Sequence, residues 1–472
     1  MSSTDIALLD LGEVADAIAS RKLTSVQATE ACLARIDSWQ PRTNAFLRID
    51  RDGALRRARE MDAELAAGKR RSRLHGVPLA HKDLYYRKDE ISTAGSAIRR
   101  HWRAPFTATV LDRLDAAGAV ELGFLNMAEF AAGPTGHNIH FGHCRNPWDA
   151  TRVTGGSSSG SGASVAARMA YGSLGSDTGG SIRLPASACG VVGMKATYGR
   201  VSRYGAAARS WSLDHVGPLT RSVRDNALML AIVAGQDPND STTSHKEVPD
   251  YEAQMAGGVS GLKIGIALPE ALVPIDAQIG AAVQAAADTL GRLGARISTA
   301  RFPDFTALYR AAEVIVKSEA ASMHRPWMEN QPQDYANQVR TRAEAGFFIP
   351  ATQYIDALRL RAHFVREFME TAMVGVDAVL LPAIPFPLPT IEETDTEKSG
   401  GPATLAMVAR FTGLTRPFNT LGVPALSLPC GFDGNGAPIG LQLVGRAFEE
   451  GLLYRIGHAY QGATDHHRKV PT

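Results

Sequence analysis

Cysteine is scarce in this sequence: four residues in 472, at Cys32, Cys144, Cys189 and Cys430. None falls in a C-x-x-C spacing, which argues against a zinc ribbon or a disulfide framework. Surplus charge is missing as well. Fifty basic residues stand against forty-eight acidic ones, a net of +2, so no strong field recruits nucleic acid or an anionic membrane. The one dense basic run, KRRSR at Lys69 to Arg73, is short and free of aromatics, and reads as a solvated connection between helix and strand. No uninterrupted apolar run reaches the roughly 18 residues of a membrane span. The opening MSSTDIALLDLGEVADAIAS places acidic residues where a secretion signal needs basic ones. These absences lead us to expect a cytoplasmic, soluble chain with no nucleic-acid or membrane partner.

What is present suits a large α/β unit: 44% hydrophobic and 21% charged residues. Leu11, Val14 and Ile18, then Val26, Cys32 and Ile36, recur at helical spacing. Thr24 and Gln27 between them form a capping-box pattern that starts the second helix. After a charged, alanine-rich helix ending near Gly68, LHGVPLAHKD reads as a buried strand with Lys82 at its end. Further short apolar runs, VELGFL, GVVGMK, LKIGIAL, AVLLPAI, ALSLPCGF and IGLQLVG, are separated by alanine-rich helical stretches. That alternation predicts one α/β domain over 1–472, a central mixed twisted sheet flanked by helices. Residues 241–374 read as a more helical elaboration with its own strand, and 391–401 as a mobile surface loop.

The most unusual stretch runs from Arg152 to Arg183, RVTGGSSSGSGASVAARMAYGSLGSDTGGSIR. A phosphate cradle fits poorly, because the Gly-Lys-Ser/Thr ending of a P-loop is absent and the dinucleotide fingerprint is not in order. A flexible linker fits no better, since SGASVAARMAYGSLG resumes as helix and GVVGMKAT follows as strand. Nucleophilic catalysis remains. A reactive serine needs a base and a set of donors for the developing oxyanion. The glycines of DTGGSIR let the backbone N–H groups of Thr178, Gly179, Gly180 and Ser181 turn toward one point. The G-x-S-x-G elbow of α/β-hydrolases is absent around Ser181. His137, His140 and His143 in GHNIHFGHC recur every three residues, but the flanking glycines argue for polar loop roles rather than a helical metal site.

GGSSSGSGASVAA followed by GSDTGGSIRLPASACGVVGMKATYGRVS closely resembles the amidase signature family, and the upstream GVPLAHKD looks like the strand that carries that family's catalytic lysine. Twenty-four residues separate Ser157 from Ser181, and ninety-nine separate Lys82 from Ser181, the intervals family members use. The likeness covers a signature core of about 74–233 and resumes from about Asp377 to Tyr460. It implies the amidase signature fold, with Ser181 as nucleophile, Ser157 as bridge and Lys82 as base and then acid. It also implies a cis peptide at Gly156–Ser157 and an acyl pocket bordered by Ala132 and Gly133. Ser158, Asp177 and Arg183 take supporting roles, the last two holding the loop by hydrogen bonds or an ion pair, with a clamp on a substrate carboxylate as the alternative for Arg183. AGFFIP at Ala345 to Pro350 and Trp327 are candidate apolar walls, with ordinary core packing at least as fitting.

For this chemistry Lys82 must be neutral, yet at a pKa near 10.4 only about one molecule in 2,500 is neutral at pH 7. Burial has to depress it. The apolar strand before Lys82 suits that, and strand alternation turns Asp83 away. The resemblance implies a small-molecule amide substrate and no metal or organic cofactor; a homo-oligomer is compatible with the sequence. The expected activity is hydrolysis of a carboxamide, anilide or carbamate-like C–N bond. The alternatives are the glutaminase (A) subunit of a tRNA-dependent amidotransferase and, from another class, a non-catalytic binding member of the fold.

Overall fold

The apolar runs become strands of one eleven-stranded sheet in the computed structural model, which describes residues 2–398 and 400–472. In chain order the strands are Phe46–Ile49 (β1), Pro78–Lys82 (β2), Val120–Leu125 (β3), Gly172–Asp177 (β4), Val192–Lys195 (β5) and His215–Thr220 (β6). Lys263–Ile266 (β7), Arg296–Thr299 (β8), Ala378–Pro382 (β9), Ala425–Phe432 (β10) and Pro438–Val444 (β11) follow. Their spatial order is β1-β3-β2-β4-β6-β5-β10-β11-β9-β7-β8. The middle of the sheet, β4 through β9, is antiparallel. On one flank β2 runs parallel to both β3 and β4, and on the other β7 runs parallel to β8 and β9. This is the mixed α/β sheet the sequence predicts.

Helix starts follow local chemistry. Thr24 and Gln27 close the capping box, Gln27 N donating to Thr24 Oγ1 at 3.0 Å and Thr24 N to Gln27 Oε1 at 2.9 Å, and the helix Ser25–Thr43 follows. The elaboration at 241–374 supplies two strands, β7 and β8, which extend the common sheet. It also supplies the helices Ala277–Arg292, Thr306–Asn330, Asn337–Glu344 and Ala351–Thr371. The reading fails at 159–177. Helix covers only Ser159–Ala166, and GSLGSD is the strand β4. A Cβ at Gly175 would lie 2.8 Å from both Ser158 Oγ and Leu219 Cδ1, so this strand is built of small residues because a loop packs directly on it, and it carries no apolar alternation. Among the described residues, no helix is long and apolar enough to cross a membrane.

The tract 391–401, expected as a mobile loop, is anchored instead. Ile391 O contacts His137 Nε2 at 2.9 Å, Thr394 and Asp395 are buried, and Glu397 accepts the amides of Asn337 and Gln338 at 3.2 and 2.9 Å. Ser399, within that tract, lies outside the described residues.

Candidate active site

Because β2 and β4 are parallel neighbours, with Ala80 opposite Ser173 and His81 opposite Leu174, their carboxyl ends open on the same edge of the sheet. In α/β sheets that edge is where ligands bind. It brings Lys82, the last residue of β2, beside Ser176 and Asp177, the last residues of β4. The serine loop between β3 and the helix Ser159–Ala166 closes over this edge, with a cis peptide at Gly156–Ser157.

Lys82 is fully buried. Its Nζ lies 2.7 Å from Ser157 Oγ, 2.8 Å from Ser176 Oγ and 3.0 Å from Ser158 Oγ. Burial drives its pKa down to about 7, against the opposing pull of the Asp214 and Asp177 carboxylates. Asp83 turns the other way and accepts the Thr93 amide at 3.0 Å and the Thr93 hydroxyl. The amine is thus half neutral near pH 7 and surrounded by hydroxyls. Ser176 is a contact that sequence reasoning missed, although its place beside Asp177 at the end of a strand next to β2 is a signal for it.

Ser181 lies in the turn after β4 and is tied to the serine loop through its backbone, Ser158 N donating to Ser181 O at 3.3 Å. Among the described residues no hydrogen bond joins the Ser157 and Ser181 hydroxyls. Asp177 shapes the turn. Its carboxylate accepts Gly180 N at 2.7 Å and Ile182 N at 3.2 Å, and pairs with both Arg183 Nε and Nη2 at 3.0 Å. Arg183 also donates to Asn419 Oδ1 at 2.8 Å and Gln442 Oε1 at 3.1 Å. Burial alone would raise the Asp177 carboxyl, but the Arg183 guanidinium holds it below the ordinary carboxylate range. Both partners are fully buried. Asp177→Ala would leave a buried guanidinium without its counter-charge and is expected to cost about 3–5 kcal/mol of stability, read by urea denaturation; a loss below about 1 kcal/mol would contradict this account.

This geometry corrects the donor set. Gly180 N is spent on Asp177 Oδ1, whereas Thr178, Gly179 and Ser181 line a cavity of about 380 Å³. Among the described residues their amides donate to no other group. Gly180 is needed for its backbone: φ is +134°, and a Cβ there would meet Thr415 Oγ1 at 2.3 Å.

The pocket expectation needs correction too. Gly133 borders the cavity, but its companion is Ala131. Ala132 packs among Phe130, Tyr335 and Ala336 and offers its carbonyl to Arg342 Nη1 at 3.1 Å. Trp327 stacks on Phe130, 5.3 Å between centroids, and Phe348 is 85% exposed, so neither Trp327 nor the 345–350 segment walls the cavity. The elaboration contributes Glu313, Lys317, His324 and Arg342 instead. A second cavity of about 220 Å³ holds Ser176 and Asp214, and Arg209 borders both.

The histidines of GHNIHFGHC lie on a loop. His140 Nε2 contacts Glu129 Oε1 at 2.9 Å. His137, His143 and Asp395 bring ligand atoms within 4.8 Å of one another. Both ring nitrogens of His137 are engaged, by Thr135 Oγ1 at 2.8 Å and Ile391 O at 2.9 Å, so the trio ties this loop to the 391–398 segment.

Comparison with known proteins adds an independent line. The family model described as Amidase matches residues 27–454. The glutamyl-tRNA(Gln) amidotransferase (A) subunit of Anaeromyxobacter sp. (strain K) is 40% identical over 481 residues, 97% of this chain and 96% of that protein. A protein solved in work on a vestigial complex and the evolutionary origins of an s-triazine catabolic enzyme superposes with a TM-score of 0.89 at 35% identity, covering 96% of this chain and 98% of the other. A 6-aminohexanoate cyclic dimer hydrolase solved with its substrate gives the same TM-score at 26% identity, with 99% of each chain covered.

Proposed function

This chain belongs to the amidase family, and we propose that it hydrolyses a carboxamide, anilide or carbamate-like C–N bond through an acyl-enzyme on Ser181. The observation that carries the proposal is the Lys82 amine, fully buried, with a pKa of about 7 and 2.7 Å from Ser157 Oγ. Neutral Lys82 takes the Ser157 proton as Ser157 takes that of Ser181. The Ser181 oxygen adds to the substrate carbonyl, and the amides of Thr178, Gly179 and Ser181 receive the oxyanion. Lysinium then returns a proton through Ser157 to the departing nitrogen, and the C–N bond breaks. Water, deprotonated by the same relay, cleaves the ester.

The test is labelling of the purified chain with an aryl sulfonyl fluoride, read by intact mass, beside a hydrolysis panel of primary amides, aryl amides, carbamates and ureas. One adduct, lost in Ser181→Ala, together with release of amine or ammonia, is the expected result. A chain that neither reacts at Ser181 nor turns over any amide would be the non-catalytic member of the fold. A second reading, the glutaminase component of a tRNA-dependent amidotransferase, is favoured by the 40% identity to such a protein over nearly the whole length. Amide turnover by the chain alone, without partner proteins or ATP, discriminates against it.

A further inference from the structure

The wall of the 380 Å³ cavity is cationic beyond what its own acid can balance. Arg209, Lys317, Arg342 and Arg416 face it with Glu313. Glu313 is already shared, paired with Arg416 and, at 3.1 Å, with Lys317 Nζ. Among the described residues, Arg209 and Arg342 form no ion pair, and the one hydrogen bond found for either guanidinium is that of Arg342 Nη1 to the Ala132 carbonyl.

Arg209, which lines the same cavity as Ser181, has its backbone tied in place. Its amide and that of Ser210 donate to Asp214 Oδ2 at 2.8 and 2.9 Å. The other oxygen of Asp214 accepts the Thr178 hydroxyl at 2.6 Å. Asp214 is therefore fully engaged in joining the Arg209 loop to the turn that carries the oxyanion donors. Buried Glu319 anchors the same loop from the helix Thr306–Asn330, accepting from the Ser210 and Ser212 hydroxyls. A guanidinium carried on a backbone so fixed, unpaired among the described residues and in a cavity that Ser181 also lines, is suited to receive an anion. Burial, and next the like charge of Arg342, lower the Arg209 pKa to about 10 against the opposing pull of the Asp214 and Glu313 carboxylates, and an anion in the cavity would offset the repulsion between the two guanidinium groups.

We propose that Arg209 anchors a carboxylate of the substrate, and that the substrates are anionic carboxamides without a free ammonium, of which the monoamides of short dicarboxylic acids are the simplest. An ammonium would enter a wall whose one carboxylate already serves two cations. The proposal rests on the Ser181 acyl-enzyme reading. In the reaction Ser181 Oγ bonds to the amide carbon and the C–N bond breaks. The nitrogen leaves as ammonia with the proton relayed from Lys82, and water cleaves the ester to give the dicarboxylate.

The experiment compares, on the full chain, succinamate, glutaramate and adipamate with neutral amides of matched length and with L-glutamine, which differs from glutaramate by one ammonium group. The best monoamide should exceed its neutral match in kcat/KM by at least about 10²-fold, because a site built for a polar group rejects the analogue that lacks it. Glutaramate should exceed glutamine. In Arg209→Gln the anionic-to-neutral ratio should fall to within about tenfold of unity, with the loss in KM rather than kcat. Should that variant fail to fold, the wild-type panel still decides. Equal use of neutral and anionic amides, or preference for glutamine, overturns the carboxylate anchor and leaves the acyl-enzyme standing, provided Ser181 still takes the sulfonyl label. No turnover and no label on Ser181 removes both.

Discussion

Replacing Ser181 with alanine is expected to lower kcat by roughly 10⁴–10⁶-fold, in the range seen when the nucleophile of a concerted catalytic set is deleted, while KM changes little. The hydroxyl alone is removed. The amides of Thr178, Gly179 and residue 181 still line the cavity, and Asp177 still holds the turn through Gly180 N and Arg183. What survives is the stabilisation of an oxyanion that no longer has an attacking oxygen. The measurement is steady-state hydrolysis of the best substrate in the panel, with thermal melting to show that the fold is intact. Retention of more than about a tenth of the wild-type rate would show that the bond-forming oxygen is not on Ser181.

The second large effect belongs to Lys82. Lys82→Met should lower kcat/KM by about 10²–10⁴-fold, the usual worth of a positioned proton-transfer group, and Lys82→Arg should not restore it, because a guanidinium stays charged. The wild-type pH profile carries a sharper signature. The base form is the neutral amine, so kcat/KM should rise with pH, pass its midpoint near pH 7 and flatten above it. Stability follows by linkage. The folded state holds this amine at about 7 against an ordinary 10.5, so between those values the unfolded chain binds more protons than the folded one, and stability rises with pH. The slope from this one group approaches about 1.4 kcal/mol per pH unit, and it should be missing in Lys82→Met. Denaturant titrations of both proteins at pH 7 and 9 measure the difference. An unchanged difference would mean that Lys82 is not depressed, and the relay would lose its base.

How much of this was legible depends on what each residue does in the fold. Lys82, Ser157 and Ser181, the proposed reactive set, stood out because such a set is confined to fixed intervals and glycine-rich turns, which leave a local imprint. The Asp177–Arg183 pair flanks Ser181 in the chain, and its loop-holding role needs only short-range geometry. Gly180 was misjudged because composition shows that a backbone can bend but not where an N–H goes; Asp177 decides that. Ser176 was hidden by the small-residue strand β4, whose glycine makes room for Ser158 and erases the alternation by which strands are read. The cavity wall was the least legible. Glu313, Lys317, His324 and Arg342 lie on helices and look in sequence like ordinary solvated faces. Trp327 drew notice for its size, yet it is used in a stack on Phe130. A polar residue facing an internal cavity and one facing water carry the same signal until tertiary packing separates them.

The buried Arg183 is completed by Asn419 and Gln442, and the Gly179 carbonyl accepts the Thr415 hydroxyl at 2.7 Å. These partners come late in the chain, and β10 and β11 occupy the middle of the sheet. A chain still being translated therefore has Lys82, Ser157, Ser181 and the Asp177–Arg183 pair in hand before it has Thr415, Asn419 and Gln442, which complete the contacts of the turn. The Arg183 guanidinium gains its last acceptor only once Gln442 has been translated, so the turn around Ser181 reaches its final set of contacts late in synthesis.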